Sequence, residues 1–230
     1  MPGIGAAYAV QEALTELRLQ RGGRVVGWKL GYTSAVMREQ MGVPSPNLGP
    51  LLTSMILDGV VGEGFVHPRV EPEIALVLDR DPGPDADVDH VLACCSGARV
   101  ALEVVDSVWT GYRFDLEHNT ADGSSAAGVV LGPAIPLDRL DEVRVTMTVD
   151  GEAAGSGAGA DASGHPAAGV AWLASELAAR RRHLRYGDVV ITGGLTAAAP
   201  LHPGSRAEAV FVHPVAGATS VSVMRAGEPR

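Results

Sequence analysis

The stretch Arg69-Val70-Glu71-Pro72-Glu73-Ile74-Ala75-Leu76-Val77-Leu78 has the most informative pattern in the sequence. Side chains of a β-strand point alternately to the two faces of a sheet, so Glu71 and Glu73 would share one face with Ala75 and Val77. The opposite face would hold only apolar residues. Both faces are therefore largely apolar, which predicts an interior strand that places two acidic side chains next to each other.

Glu103 presents the same problem in a second apolar segment, Val100-Ala101-Leu102-Glu103-Val104-Val105. That segment contains no positive residue to pair with the carboxylate, and an unpaired buried charge is costly. One hard divalent cation shared by Glu71, Glu73 and Glu103 would offset this cost, and Mg²⁺ or Mn²⁺ prefers such oxygen ligands. No His or Cys lies at a matching spacing, which argues against zinc.

The same residues also allow an arrangement without a metal. Proline is common at sheet edges, so Pro72 is compatible with an edge strand on which Glu71 and Glu73 are solvated. Glu103 would then pair with an arginine. Spacing alone leaves both alternatives open.

Short strands and a few helices are predicted along the rest of the chain. Helices are expected over residues 6–21, from Thr33 or Ser34 to about residue 41, and from Pro166 to about residue 182. Strands are expected over residues 25–30, 70–78, 100–108, 143–149, 189–192, 207–212 and 219–223, whereas residues 42–50 and 111–125 should be irregular. This pattern predicts a single α+β domain over residues 1–230, with mixed or antiparallel sheets and a short N-terminal helix within residues 1–24.

Composition limits the possible functions. Of the 230 residues, 46% are hydrophobic and only 4% are aromatic, so the core should consist of aliphatic side chains. The net charge is −9 and the one basic run is Arg180-Arg181-Arg182, which makes nucleic acid an unexpected partner. Cys94 and Cys95 lack metal-type spacing, and no membrane span or secretion signal is recognisable. We therefore expect a cytoplasmic protein.

Several motifs follow the order found in one known family. Gly27-Trp28-Lys29-Leu30-Gly31-Tyr32-Thr33-Ser34 resembles the G-x-K-x-G-x-T-S segment of the 2-keto-4-pentenoate hydratase and 4-oxalocrotonate decarboxylase group. This group belongs to the fumarylacetoacetate hydrolase superfamily. The motifs that follow in family order are Met41-Gly42-Val43, Glu71-Pro72-Glu73-Ile74-Ala75, Leu102-Glu103-Val104-Val105-Asp106-Ser107, Ala121-Asp122, Gly164-His165-Pro166 and Thr192-Gly193-Gly194.

The resemblance implies a fold, a cofactor and a set of site residues. The fold would be a mixed β-sandwich roll with flanking helices, of the fumarylacetoacetate hydrolase C-terminal-domain type, assembled as a homodimer or larger homo-oligomer. Mg²⁺ or Mn²⁺ would be bound by Glu71, Glu73 and Glu103, and the substrate would be a small 2-oxo acid. The resemblance also implies that Lys29, Ser125 and Asp122 take part in catalysis, and that Thr33, Asn47, Thr196 and His165 lie at the substrate.

The resemblance favours the decarboxylase branch. The segments Phe114-Asp115-Leu116 and Thr192-Gly193-Gly194-Leu195-Thr196-Ala197-Ala198 look more like decarboxylases. Hydratases usually carry an aspartate where this chain has Asn47, and an amide cannot act as a general base. Gly123 replaces the asparagine of the family's A-D-N motif, and the N-terminus looks shorter than is typical. These departures leave open a different 2-oxo or enol acid as the substrate.

Four alternatives remain beside decarboxylation of a 4-oxalocrotonate-like acid. A metal-stabilised enolate would serve a hydratase or a tautomerase equally well. An acylpyruvate C–C hydrolase would need a base to activate water, and no early His-Glu pair is evident. A catalytically degenerate subunit, bound to a related pathway enzyme, would retain the fold alone. His165 could simply cap a helix, and Thr196 could belong to a plain turn.

Overall fold

The computed structural model describes residues 3–35, 38–39 and 42–227. The strands are β1 (Val25–Gly31), β2 (Asn47–Leu52), β3 (Val60–Val61), β4 (Arg69–Leu78), β5 (Cys95–Val105), β6 (Ala126–Ile135), β7 (Arg144–Val149), β8 (Glu152–Ala158), β9 (Val189–Ile191), β10 (Ala199–Pro200), β11 (Arg206–His213) and β12 (Gly217–Arg225). The α-helices whose full bounds lie within the described residues are α1 (Ile4–Gln20), α2 (Val88–Ala93), α3 (Leu116–Ala121) and α4 (Pro166–Ala179).

Strand β4 is an interior strand of the larger sheet, whose order is β2-β1-β9-β4-β5-β6 with β10 also pairing with β4. The edge alternative for Glu71 and Glu73 is therefore wrong. Pro72 fits here because its carbonyl accepts a hydrogen bond from Leu195 N at 2.9 Å. The nitrogen and carbonyl of a strand residue point to the same side. The nitrogen of Pro72, which has no hydrogen to donate, therefore faces the segment between β9 and β10 and not β5.

The smaller sheet has the order β3-β12-β11-β7-β8 and packs against the larger one. Between the sheets lies a mainly aliphatic core that includes Ile74, Leu76, Leu102, Met147, Phe211 and Val223, all of them buried. The apolar face of β4 points into this core. Glu71, Glu73 and Glu103 consequently occupy the other face of the larger sheet, as the alternation predicted.

Helix α1 leaves three apolar side chains on one of its faces exposed. Val10, Leu14 and Leu17 are 42%, 39% and 52% exposed. The buried residues include Gln11, whose Nε2 donates to the carbonyl oxygens of Leu48 at 2.8 Å and Thr120 at 2.7 Å. The helix therefore docks through polar contacts and leaves an apolar stripe outside. No helix among the described residues is long and apolar enough to cross a membrane.

The other expected elements match the structure in type, but several elements of the structure were not expected, among them α2, β3, β8 and β10. Residues 47–52 form β2 instead of a loop, because they pair with β1 along its whole length. Residues 116–121 form α3 within the segment expected to be irregular, with Asp115 accepting a hydrogen bond from His118 N. Strand β6 was missed altogether, and the strand expected over residues 100–108 spans Cys95–Val105. The helix expected from Thr33 or Ser34 lies partly outside the described residues.

Candidate metal centre

Three glutamates converge on one face of the larger sheet. Glu71 lies directly opposite Glu103 in the antiparallel register of β4 and β5, and Glu73 follows two residues along β4. One carboxylate oxygen from each lies within 4.8 Å of the others. Glu73 and Glu103 are fully buried. The register thus brings together three acidic groups that are separated by up to 32 positions in the chain.

Few protein groups compensate these carboxylates. Glu73 Oε2 accepts a hydrogen bond from Gly193 N at 2.7 Å, whereas its Oε1 is buried without a partner among the described residues. Lys29 Nζ lies 2.9 Å from Glu103 Oε1, an ion pair by distance. Glu103 Oε2 is buried and accepts no hydrogen bond from any described residue. Several buried carboxylate lone pairs therefore remain available to a ligand.

The pKa values reflect this crowding. Burial raises the pKa of Glu71 to about 7, with a further contribution from the charge of Glu103. The same two causes hold the pKa of Glu73 well above its ordinary value. Protons would thus stabilise these carboxylates without a cation, and a divalent cation would replace those protons.

Lys29 is the only lysine in the sequence, and it lies in β1 beside this cluster. Burial alone would lower its pKa, but the charges of Glu103, Glu71 and Glu73 outweigh burial and raise the pKa above its ordinary value. The ammonium group is therefore charged at neutral pH. In this state it can donate a proton or a hydrogen bond, but it cannot accept a proton.

A cavity of about 360 Å³ opens onto the cluster. Its lining includes Lys29, Tyr32, Thr33, Arg69, Glu71, Val105, Tyr112, Phe114, Ser125 and Thr196. The volume suits a small organic acid. A larger groove of about 850 Å³ lies elsewhere, next to the end of α1, and none of the three glutamates lines it. We therefore assign the chemistry to the smaller cavity.

Ser125 reaches the cavity wall on a backbone with left-handed φ angles at Gly123, Ser124 and Ser125. Its Oγ accepts a hydrogen bond from Asn119 Nδ2 at 2.9 Å. Asn119 Oδ1 in turn accepts from Asn47 Nδ2 at 3.0 Å, and Asn47 Oδ1 accepts from Ser124 Oγ at 2.8 Å. Asn47 is thus behind the cavity wall, where its amide holds the serine loop instead of lining the cavity.

Two other predicted site residues also lie outside the cavity lining. Asp122 Oδ1 accepts a hydrogen bond from Ser125 N at 2.9 Å, and the residue lines the larger groove. Burial raises the pKa of Asp122 to about 6. His165 Nδ1 accepts from Ala167 N at 3.0 Å at the start of α4. Both side chains therefore bond to backbone N–H groups, and neither lines the cavity.

Gly193 and Gly194 bring the chain against the glutamates. A Cβ at Gly194 would lie 2.5 Å from Glu71 Oε2, and a Cβ at Gly193 would overlap Thr33. The sequence motif gave no indication that Gly193 N binds Glu73. Asn119 was also missed, because its helix was not expected. Arg69 was missed although alternation places it on the face of Glu71 and Glu73.

The fold and this site together define a class of protein. Two mixed β-sheets with flanking helices present three oxygen ligands and a charged lysine to a small, partly apolar cavity. Such a ligand set fits a hard divalent cation, and the cavity fits a small anionic substrate. The class is a metal-dependent enzyme that acts on a small organic acid.

The chain belongs to the fumarylacetoacetate hydrolase family. Residues 36–222 match the family pattern described as Fumarylacetoacetate (FAA) hydrolase C-terminal. A 4-oxalocrotonate decarboxylase from Pseudomonas sp. (strain CF600) is 38% identical over 206 residues, covering 86% of this chain and 78% of the relative. A 2-keto-4-pentenoate hydratase from Burkholderia vietnamiensis is 38% identical over 200 residues, covering 82% and 75%.

A solved structure supports the same assignment. The 4-oxalocrotonate decarboxylase from Pseudomonas putida G7, complexed with magnesium and adipate, has a TM-score of 0.90 at 33% identity, covering 97% of this chain and 86% of that chain. The predicted fold class, family and enzyme class, a lyase of the decarboxylase and hydratase type, are confirmed.

Proposed function

We propose that this protein decarboxylates a six-carbon 2-oxo dioic acid of the 4-oxalocrotonate type, with Mg²⁺ or Mn²⁺ held by Glu71, Glu73 and Glu103. The convergence of three poorly compensated carboxylates beside Lys29, at the end of a small cavity, is the observation that supports this most directly. When bound, the cation would act as a Lewis acid toward the C1 carboxylate and C2 oxygen of the substrate.

Lys29 would supply the proton that the decarboxylated product needs. Its raised pKa keeps the ammonium charged at neutral pH, and its place in the cavity lining brings it to the substrate. A charged donor buried beside the reacting carbons is a suitable general acid. Lys29 would therefore protonate the substrate after the carboxylate leaves.

The remaining predicted site residues form two groups, those that line the cavity and those that do not. Thr33, Ser125 and Thr196 line the cavity and would donate or accept hydrogen bonds with the substrate. Asn47, Asp122 and His165 do not line it, and we propose that they position the loops that do. Asn47 and Asp122 hold Ser125, through Asn119 and through the Ser125 N–H respectively.

A hydratase is the second candidate function. The hydratase relative is as similar to this chain as the decarboxylase relative, each being 38% identical. Two observations favour decarboxylation. An amide at Asn47 cannot act as a general base, and its side chain is fully engaged behind the cavity wall. The adipate bound to the matched decarboxylase is also a six-carbon dioic acid.

We further propose a cytoplasmic homo-oligomer in which residues 1–230 form one catalytic domain. One buried cluster includes residues of both sheets, which supports a single folding unit. The apolar stripe of Val10, Leu14 and Leu17 on α1 supports association with another copy, because such exposed stripes favour contact with another surface.

The proposed function is tested by giving the purified protein Mg²⁺ and either 2-oxo-3-hexenedioate or 2-hydroxypenta-2,4-dienoate. We expect loss of the first with release of CO₂. Consumption of only the second would assign the hydratase, and turnover of neither would contradict both candidates.

A matched pair of variants connects this activity to the glutamates. Glu73→Gln removes a buried carboxylate, and Glu152→Gln removes an exposed one from β8. Calorimetric titration should show that the wild type binds Mn²⁺. Glu73→Gln should lose more Mn²⁺ affinity than the roughly 10- to 100-fold typical of changes outside the direct ligands, and Glu152→Gln should bind like the wild type. Wild-type affinity in Glu73→Gln would contradict the three-carboxylate site.

A further inference from the structure

We propose that Arg69 binds the second carboxylate of a dicarboxylic substrate and so selects dioic over monocarboxylic 2-oxo acids. This inference rests on the proposed function, which places the first carboxylate and the 2-oxo group at Glu71, Glu73 and Glu103. It adds the group that recognises the other end of the substrate.

The backbone spacing between Arg69 and Glu71 matches the length of a six-carbon dioic acid. It shares their face of β4, because it precedes Glu71 by two positions in the same strand. Two positions along a strand span about 6.6 Å. The five C–C bonds between the two carboxyl carbons of a six-carbon dioic acid, each about 1.5 Å, span about 6 Å in an extended chain. One end of such an acid can therefore reach Arg69 while the other lies at the glutamates.

The Arg69 guanidinium is available to an anion. It lines the cavity, and it makes no hydrogen bond or ion pair with any described residue. Lys29, the other cation among the described lining residues, is already paired with Glu103 at 2.9 Å. An unpaired guanidinium beside a cavity favours a carboxylate, which it can bind through two parallel N–H groups.

The aromatic side chain of Tyr112 holds this guanidinium in place. Arg69 Cζ lies 4.1 Å from the centre of the Tyr112 ring, a cation–π contact. Tyr112 Oη lies 3.1 Å from the carbonyl oxygens of both His67 and Val105, which fixes the ring. The ring covers one side of the guanidinium, and no described residue accepts a hydrogen bond from its N–H groups. Arg69 is thus oriented before the substrate arrives.

The contact would contribute to binding more than to the rate of the chemical step. Decarboxylation converts the distal carboxylate into neutral CO₂, so the ion pair with Arg69 is strong in the bound substrate and weakens as the bond breaks. An interaction that is stronger in the ground state than in the transition state lowers KM but does not help the chemical step. Loss of Arg69 should therefore raise KM and leave kcat unchanged or slightly higher.

A structural role is the competing explanation, since Arg69 also lies near Glu71 and its charge favours the ionised form of that carboxylate. If Arg69 were purely structural, its loss would change metal affinity and would weaken the binding of all 2-oxo acids alike. A distal-carboxylate site would discriminate between acids that differ only at the far end. This difference makes the two roles separable.

The experiment compares 2-oxoadipate with 2-oxohexanoate, which have the same chain length and the same 2-oxo acid head. Their dissociation constants are measured by calorimetry in the presence of Mg²⁺ for the wild type, Arg69→Met, Arg69→Lys and Arg144→Met. Arg144 is exposed on β7 and controls for the loss of one positive charge. Mn²⁺ affinity and the melting temperature are measured for every variant.

The wild type should bind 2-oxoadipate at least about 10-fold more tightly than 2-oxohexanoate. Arg69→Met should lose about 10- to 100-fold in affinity for 2-oxoadipate and change less than about 3-fold for 2-oxohexanoate, with Arg69→Lys intermediate and Arg144→Met unchanged. Equal loss for both acids, or a wild type without preference, would overturn the role of Arg69 and leave the proposed function standing. Failure of the wild type to bind either acid would overturn both.

Discussion

Burial by itself favours the neutral form of the Lys29 side chain, yet its ammonium group is charged. Only the three neighbouring carboxylates reverse that effect, so the state of Lys29 depends on the total charge of the cluster. A divalent cation at the glutamates would neutralise much of this charge. The pKa of Lys29 should then fall, which would make it a better proton donor when the enzyme is loaded.

This coupling is directly measurable because the chain has one lysine. Protein labelled with ¹³C at lysine Cε should give one resonance, that of Lys29. Without metal its titration midpoint should lie above the ordinary lysine pKa of about 10.4, and saturating Mg²⁺ should move the midpoint to lower pH. Glu152→Gln should behave like the wild type. A metal-free midpoint below about pH 9, or no effect of Mg²⁺, would contradict the claim that the charge of the glutamates sets the pKa of Lys29.

Single residues differ in how far the sequence could predict them. Glu71, Glu73 and Glu103 were predicted from acidic side chains in apolar strands, because burial cost is visible in a local pattern. The pairing of Lys29 with Glu103 was not, since the two residues are brought together only by the strand order. Asn47 was placed at the substrate, but its position depends on α3, which the sequence did not indicate.

At the scale of elements, the segment between β9 and β10 shapes the site from the side opposite β5. Gly193 N donates to Glu73, and Gly194 lies against Glu71 with no room for a side chain. The backbone φ of Gly194 is not left-handed, so an alanine there is acceptable to the backbone itself. Its methyl group would act on Glu71 and not on the fold.

Gly194→Ala should therefore weaken the site while the protein stays folded. We expect about a 10-fold loss of Mn²⁺ affinity, comparable with that of changes that displace a metal ligand indirectly. Thermal denaturation should be little changed. Gly97→Ala in β5, where a Cβ would meet nothing within 4 Å, is the matched control. Unchanged metal affinity in Gly194→Ala would indicate that Glu71 is not a ligand.

The elements that the sequence predicted well are those with strong local signals. Strand β4 is a long apolar run, α4 begins with a proline at its first turn, and β7 ends at an Asp-Gly turn. Strand β6 was missed because glycines and a proline interrupt it. Its pairing with β5 stabilises it instead, and pairing between distant segments leaves no local pattern.

In the molecule as a whole, the apolar core and the charged cluster lie on opposite faces of the larger sheet. The aliphatic core lies between the sheets, and the charged cluster lies on the outer side of the larger one. The apolar stripe of α1 does not face this core, since Val10, Leu14 and Leu17 are exposed. A helix that docks through Gln11 and Tyr8 cannot be distinguished by periodicity from one that docks through its leucines.

The charged cluster makes the stability of the whole protein depend on pH and metal together. Burial raises the pKa of Glu71 to about 7 from its ordinary value of 4.5, and burial also raises the pKa of Glu73. Folding therefore favours the protonated carboxylates. This contribution is fully present below pH 4.5 and is lost as pH rises through about 7, at a cost on the order of 3 kcal/mol for Glu71 alone.

A divalent cation should reverse this loss, because it binds the deprotonated carboxylates and releases their protons. Melting temperatures measured from pH 5.5 to 8.5 in Mg²⁺ and in EDTA should differ little at the acidic end and progressively more toward the alkaline end. Taking the difference at each pH removes titrations elsewhere in the chain. Glu73→Gln should flatten the dependence, and Glu152→Gln should preserve it. A stabilisation by Mg²⁺ that stays constant or shrinks with rising pH would mean that the cation binds somewhere other than these glutamates.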